Sequence, residues 1–349
     1  MRSLSISAAK LPATRWVSEN SIATNQISRE QSAMLTSHTV PENASTKFNR
    51  RQFIVKSSSA LAVATAGLAA GCVTSATAAR ATLIGTQLYG WGQYYERDGK
   101  KMADHLDEIL SAVRDCGYDY AESSLDYGRP ENNEQFAARC RAKGLRPVSL
   151  YTGGRLHEEG KAPDTVARIL AAAKVCTTQG FSIINCNPDP IGREKTDVEL
   201  STQVRALKQL GVGLNSLGMK LGIHHHTPEM KNRAREFHFN FENSDPSVVG
   251  FCYDVHWVFR GGLKPDAVLP IYGNRVVSWH LRQSRDGIWW EDVDKGDIDY
   301  AGVARFARRN GLPPLYTVEL ALEKGTKITR NVVENHQRSR AFVRTVFAG

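Results

Sequence analysis

Residues 182–224 read SIINCNPDPIGREKTDVELSTQVRALKQLGVGLNSLGMKLGIH: a short apolar run, a long stretch of helical period, and a second apolar run. The runs at 182–185 and 219–224 have the pattern of strands buried on both faces, as in parallel sheets. Between them, residues 196–217 repeat apolar positions three and four apart, which predicts a helix. The same unit continues in both directions. Further strand candidates lie at 82–88, 119–122, 146–151, 248–254, 276–281 and 315–320. Helical stretches fall at 105–116, 133–143, 163–179 and 300–310, several stopping at a glycine (Gly117, Gly144, Gly180, Gly311), where a left-handed cap is expected. Residues 232–245 keep the period poorly and are expected to be loop-like. Eight units from residue 82 onward average about 33 residues, the size of one βα unit. Strict alternation predicts an α/β fold, a closed (βα)8 TIM barrel in one domain over 81–349. No Gly-x-Gly-x-x-Gly follows the first strand, which argues against a dinucleotide-binding sheet.

The chain has 349 residues, 41% hydrophobic and 23% charged, with a formal net charge of +9. Residues 1–80 hold nine Lys/Arg against three Asp/Glu, so +6 of that excess sits in the leader and only +3 in the barrel. That leaves too little for a groove that follows nucleic-acid phosphates, and no nucleic-acid partner is expected. Residues 1–46 are polar and without period, and translation is expected to start at Met34. Asn49-Arg50-Arg51-Gln52-Phe53-Ile54-Val55-Lys56 then precedes a mild apolar run to Gly71. Paired arginines, an aromatic residue and a weak apolar segment resemble a twin-arginine export signal. The run is shorter than the ~20 residues that cross a bilayer. The expected location is therefore extracytoplasmic or periplasmic, with the twin-arginine translocase as a partner during export. Cleavage after Ala76-Thr77-Ala78 would release a soluble chain. Ala69-Ala70-Gly71-Cys72 would instead make Cys72 a lipidated membrane anchor. The other five cysteines have no CxxC spacing and read as core residues.

In such a barrel the C-terminal ends of the strands share one bowl. Strand five ends in His224-His225-His226-Thr227-Pro228-Glu229, strand six in Asp254-Val255-His256-Trp257, strand seven in His280-Leu281-Arg282-Gln283 and strand eight in Glu319. Alternation puts His224 and His226 on one face and His225 on the other. Hard divalent ions take carboxylate and imidazole ligands from separate rigid elements, so His224, Asp254, His280 and Glu319 form the expected metal site. Each alone could be a capping or hydrogen-bonded side chain; four on consecutive strand ends point to one ion. Trp91, Trp257, Trp279, Trp289 and Trp290 fall near the same rim and could stack on sugars or simply pack. Glu122, Asn185, Asn187, Arg155, His256 and Arg282 are further candidates for binding hydroxyls.

Taken in order, Gly222–Glu229, Asp254-Val255-His256-Trp257, His280-Leu281-Arg282 and Glu319 resemble the xylose isomerase-like TIM-barrel family. That family includes sugar phosphate isomerases and epimerases, inosose dehydratases and the endonuclease IV group (AP endonuclease family 2). The resemblance spans most of residues 82–347. It implies one divalent ion (Mn, Co, Mg or Zn) and a small-molecule sugar substrate. Three departures stand out: His224 replaces a usual Glu, Arg282-Gln283 replaces Lys-Asp, and His256 follows Asp254 by two residues where epimerases have three. Glu229 is then a second candidate for the strand-five ligand. The expected activity is a metal-dependent sugar isomerase or epimerase moving a proton beside a carbonyl. Glu319, Glu229, His226 and Arg282 are the catalytic candidates. The same proton removal could instead end in elimination, as in a 3-keto-glycoside lyase or dehydratase. A non-catalytic exported sugar-binding protein is the alternative of another class, and homo-oligomerisation stays open.

Overall fold

The computed structural model describes residues 81–348. The expected signal, the cleavage site and Cys72 lie outside the described residues. Eight parallel strands close into a barrel: β1 (Leu83–Gln87), β2 (Tyr120–Ser124), β3 (Ser149–Gly154), β4 (Ile183–Pro188), β5 (Lys220–Ile223), β6 (Gly250–Asp254), β7 (Val276–Leu281) and β8 (Leu315–Val318). Each pairs with its sequence neighbours, and β1 pairs with β8, with Thr86 opposite Val318. The helices lie between the strands: α1 (Leu88–Arg97), α2 (Leu106–Asp115), α3 (Glu131–Ala142), α4 (Ala162–Thr178), α5 (Asp197–Ser216), α6 (Thr227–Glu242), α7 (Val255–Arg260), α8 (Pro265–Tyr272), α9 (Tyr300–Arg309) and α10 (Val332–Phe347). A hairpin of Ser284–Arg285 and Ile288–Trp289 follows β7.

All eight strand expectations hold, with shifted ends. Strands β3 and β4 run three residues further than the apolar pattern. Among the added residues Asn187 shares the inward face of Asn185, and Thr152 is buried on the opposite, helix-facing side, which a hydropathy reading cannot credit. The glycine stops also hold, since Gly117, Gly144, Gly180 and Gly311 all have positive φ, the conformation that a Cβ penalises.

One expectation is corrected. Residues 232–245 are not a loop: α6 covers most of them and is broken at Lys231–Ala234, where Asn232, Arg233 and Ala234 take left-handed φ. The break scrambles a single helical period. The second half still buries Phe237 and Phe241 against Phe251. Cys116, Cys140, Cys176, Cys186 and Cys252 are buried and unpaired, as small core residues should be.

Candidate metal centre and active site

Strands β5 to β8 each deliver one group. His224 directly follows β5, Asp254 ends β6, His280 is next to last in β7, and Glu319 directly follows β8. One ligand atom from each lies within 4.8 Å of the other three, and all four residues are buried. Two imidazoles and two carboxylates on rigid elements suit a divalent cation.

The surrounding hydrogen bonds orient these atoms. Asn187 Nδ2 donates to Glu229 Oε1 at 3.2 Å, so its Oδ1 faces His224 Nδ1 at 3.3 Å. His224 Nδ1 must then carry the proton, leaving Nε2 as a lone-pair donor. That buried Nε2 makes no hydrogen bond and lies 3.4 Å from Asp254 Oδ2. Two lone-pair sites facing each other out of water are unfavourable without a cation between them, so the residues present fit one ion.

His280 is held from both sides. Its Nδ1 is 2.8 Å from Glu319 Oε2, and its Nε2 is 2.9 Å from Glu122 Oε1. Glu122 Oε2 in turn accepts from Ser149 Oγ at 2.6 Å and Asn185 Nδ2 at 2.8 Å, and Asn185 Oδ1 accepts from Ser278 at 2.8 Å. A carboxylate behind a ligating imidazole fixes its ring and raises its basicity. Glu122 and Asn185 therefore position His280. Glu122 Oε2 and both side-chain polar atoms of Asn185 are taken up inside the barrel, behind His280.

Arg282 joins the two ligand carboxylates. Its Nη2 lies 3.0 Å from Asp254 Oδ2 and 3.1 Å from Glu319 Oε1. The guanidinium carbon also sits 4.5 Å from the Trp289 ring centre and 5.3 Å from that of Trp257, within cation–π range. Burial would raise the Glu319 pKa, but Arg282 and His280 hold it down to about 2. Asp254 is likewise held well below the carboxylate range, with Arg282 the main opponent of burial. Both are ionised at neutral pH.

Two further groups approach from β5. The His226 ring is 4.7 Å from His224 and 5.2 Å from Trp257, half-buried on the open side of the site. Burial, then the neighbouring His224, push its pKa well below 6.5, so it is a neutral imidazole. Glu229 accepts from His226 N at 2.7 Å and caps α6. Burial and the nearby Glu236 raise its carboxyl to about 7. Glu229 is not in the four-residue set; His224 takes the strand-five place. His225 points away, as its parity requires, onto Phe237 and Phe251.

The tryptophans divide. Trp257 and Trp289 wall the site, meeting edge to face at 5.4 Å. Trp91 does not line the site. It is fully buried, stacked at 4.2 Å on His336, with Nε1 bonded to Thr86. Trp279 points outward to bond the Pro313 carbonyl. Both are core: Trp279 neighbours His280 on β7 and so faces the helices, and Trp91 sits on the buried side of α1. Trp290 carries Arg285 at 4.0 Å on the rim. His256 is buried against Trp289, with ring centres 6.1 Å apart, and neither of its ring nitrogens has a partner. Tyr151 was missed: its ring stands 5.2 Å from His224. The signal was its alternation with Ser149 along β3.

Comparison with known proteins bears on the family and the fold. Residues 110–345 match the family described as xylose isomerase-like TIM barrel. The chain is 27% identical to an inosose dehydratase of Geobacillus kaustophilus over 217 residues, 57% of this chain and 69% of that protein. In structure it resembles a sugar phosphate isomerase/epimerase of Parabacteroides distasonis, with TM-score 0.62 and 20% identity over 79% of this chain and 98% of the other. It also resembles the IOLI protein solved with a zinc atom, with TM-score 0.57 and 16% identity over 76% and 98%. The barrel order, the four converging side chains and the matched span together place this chain in the xylose isomerase-like TIM-barrel family.

Proposed function

We propose that this protein is a metal-dependent enzyme that moves a proton on the carbon beside a sugar carbonyl, as an isomerase or epimerase. One observation carries the reading. A neutral imidazole able to exchange a proton, His226 just after β5, borders the four-residue site, whose ionised Glu319 follows β8. They stand three strands apart around the ring. A divalent ion held by His224, Asp254, His280 and Glu319 would polarise the carbonyl and its neighbouring hydroxyl. Arg282 keeps the carboxylates ionised and offers donors to a developing oxyanion. Neutral His226 can take a proton from that carbon and deliver it to the former carbonyl carbon of the enediol, which completes an isomerisation; epimerisation instead returns a proton to the opposite face of the same carbon. Trp257 and Trp289 exclude water and give the sugar an apolar wall.

A second reading, elimination of water or of a glycosidic leaving group, is favoured by the inosose dehydratase relative. Both begin with the same proton removal. Manganese-loaded protein incubated with ketohexoses and 3-keto-glucosides in D2O separates them. A deuterated isomer one mass unit heavier supports the first. Loss of water or release of an aglycone supports the second. Binding without deuterium uptake or any product means a sugar-binding protein, and refutes both. We further propose that the chain acts after twin-arginine export. Replacing Arg50 and Arg51 together by Lys should leave it in the cytoplasmic fraction; unchanged export would refute the signal.

A further inference from the structure

A cavity of about 400 Å³ opens on the β3–β4 side of the barrel mouth, lined by Arg155, His157, Glu158, Asp189, Pro190 and Ile191. That volume is within the ~300–1,000 Å³ of small-ligand pockets. None of these residues belongs to the metal site, yet the strand register leads from one to the other. Asn187, which orients His224, pairs with Gly153 across β3–β4. Asp189 is two residues on, about 7 Å further up the same face. Its carboxylate leans over Gly153, where an added Cβ would come within 2.7 Å of Oδ1. The cavity thus begins one residue layer above the groups that support the metal site.

Its chemistry is specific. His157 is only 6% exposed, and its Nδ1 makes no hydrogen bond, a buried polar atom that needs a partner. Glu158 is tied to Lys161 at 2.7 Å, and lies 3.9 Å from Arg155 and 3.7 Å from His157. Arg155 and Asp189 supply one donor group and one acceptor group of opposite charge. The charges of Arg155, Lys161, Glu158 and Asp189 cancel, and an acceptor carboxylate at the entrance disfavours phosphate. Closely spaced donors and acceptors with no net charge suit vicinal hydroxyls.

We propose that this cavity is a second carbohydrate subsite, holding the sugar ring attached to the one that sits at the metal centre, so that the substrate is a glycoside larger than a monosaccharide. The inference rests on the functional reading above for what occupies the first position. The test titrates the full chain with glucose, maltose, cellobiose and glucose 6-phosphate, following saturation-transfer NMR. A disaccharide should bind about tenfold tighter than glucose, ~1.4 kcal/mol. Asp189→Ala and His157→Phe should each remove that advantage while leaving glucose binding unchanged. Asp189→Asn should keep most of it, and melting curves show that the variants fold. The subsite is overturned if no disaccharide surpasses glucose, or if the advantage survives both variants. Glucose 6-phosphate binding tightest, and losing affinity in Arg155→Ala, overturns it in favour of an anion. Disaccharide preference with no product from the ketohexoses and 3-keto-glucosides of the D2O assay keeps the subsite and removes the enzyme reading; product there without disaccharide preference does the reverse.

Discussion

Glu229 is a buried carboxyl raised from 4.5 to about 7 by burial and by Glu236. The folded state then holds a proton that the unfolded chain has released, so stability falls as pH rises from about 4.5 through 7. At ~1.4 kcal/mol per pKa unit, the full displacement is worth about 3 kcal/mol, and about 2–3 kcal/mol falls between pH 5 and 8. Glu229→Gln removes this titration. It also sets an amide against two donors, His226 N and Asn187 Nδ2, which adds a penalty independent of pH. The informative quantity is therefore the pH slope. Urea unfolding of chelator-treated wild type and Glu229→Gln should give a stability difference that moves in the variant's favour by about 2–3 kcal/mol from pH 5 to 8. Parallel stability curves would show that Glu229 is ionised throughout, and would refute the role given to burial.

Other consequences follow from the same contacts. Arg282→Met strips the shared cation from Asp254 and Glu319. Without metal this should cost roughly 3–5 kcal/mol, and manganese should restore stability more than it does in wild type, as read by melting with and without the ion. Trp91→Ala should lower stability by roughly 3–5 kcal/mol, whereas Trp257→Ala should chiefly lower kcat/KM, so unfolding and rate assays should rank the two oppositely. A Cβ at Gly90 would overlap the Leu320 carbonyl. Gly90→Ala should therefore cost about 1–3 kcal/mol and weaken metal binding by displacing the neighbouring Glu319, which calorimetric titration with manganese would detect.

How much of this was legible beforehand depends on the kind of information involved. The barrel could be read because each strand of a parallel sheet is buried on both faces and each helix shows its own period. The convergence of His224, Asp254, His280 and Glu319 could be read because they stand at the ends of four consecutive strands. The supporting shell was harder. Glu122, Ser149, Asn185 and Ser278 come from four strands that are scattered in sequence, and only barrel closure brings them onto His280. Trp91 and Trp279 were misplaced because sequence proximity to a strand end does not say which way an indole points. The break in α6 hid a helix because three left-handed residues shift the phase of its apolar stripe. The choice between His224 and Glu229 as the strand-five member rested on which of them converges with the other three groups, and sequence spacing does not give that.

The central claim is that His224, Asp254, His280 and Glu319 hold one divalent ion, and elemental analysis of the purified protein tests it most directly, alongside Asp254→Ala and Glu319→Ala. The account predicts about one ion per chain, lost in both variants while each keeps its fold. A folded wild-type protein that carries no metal and takes up none from manganese, cobalt, magnesium or zinc would contradict it.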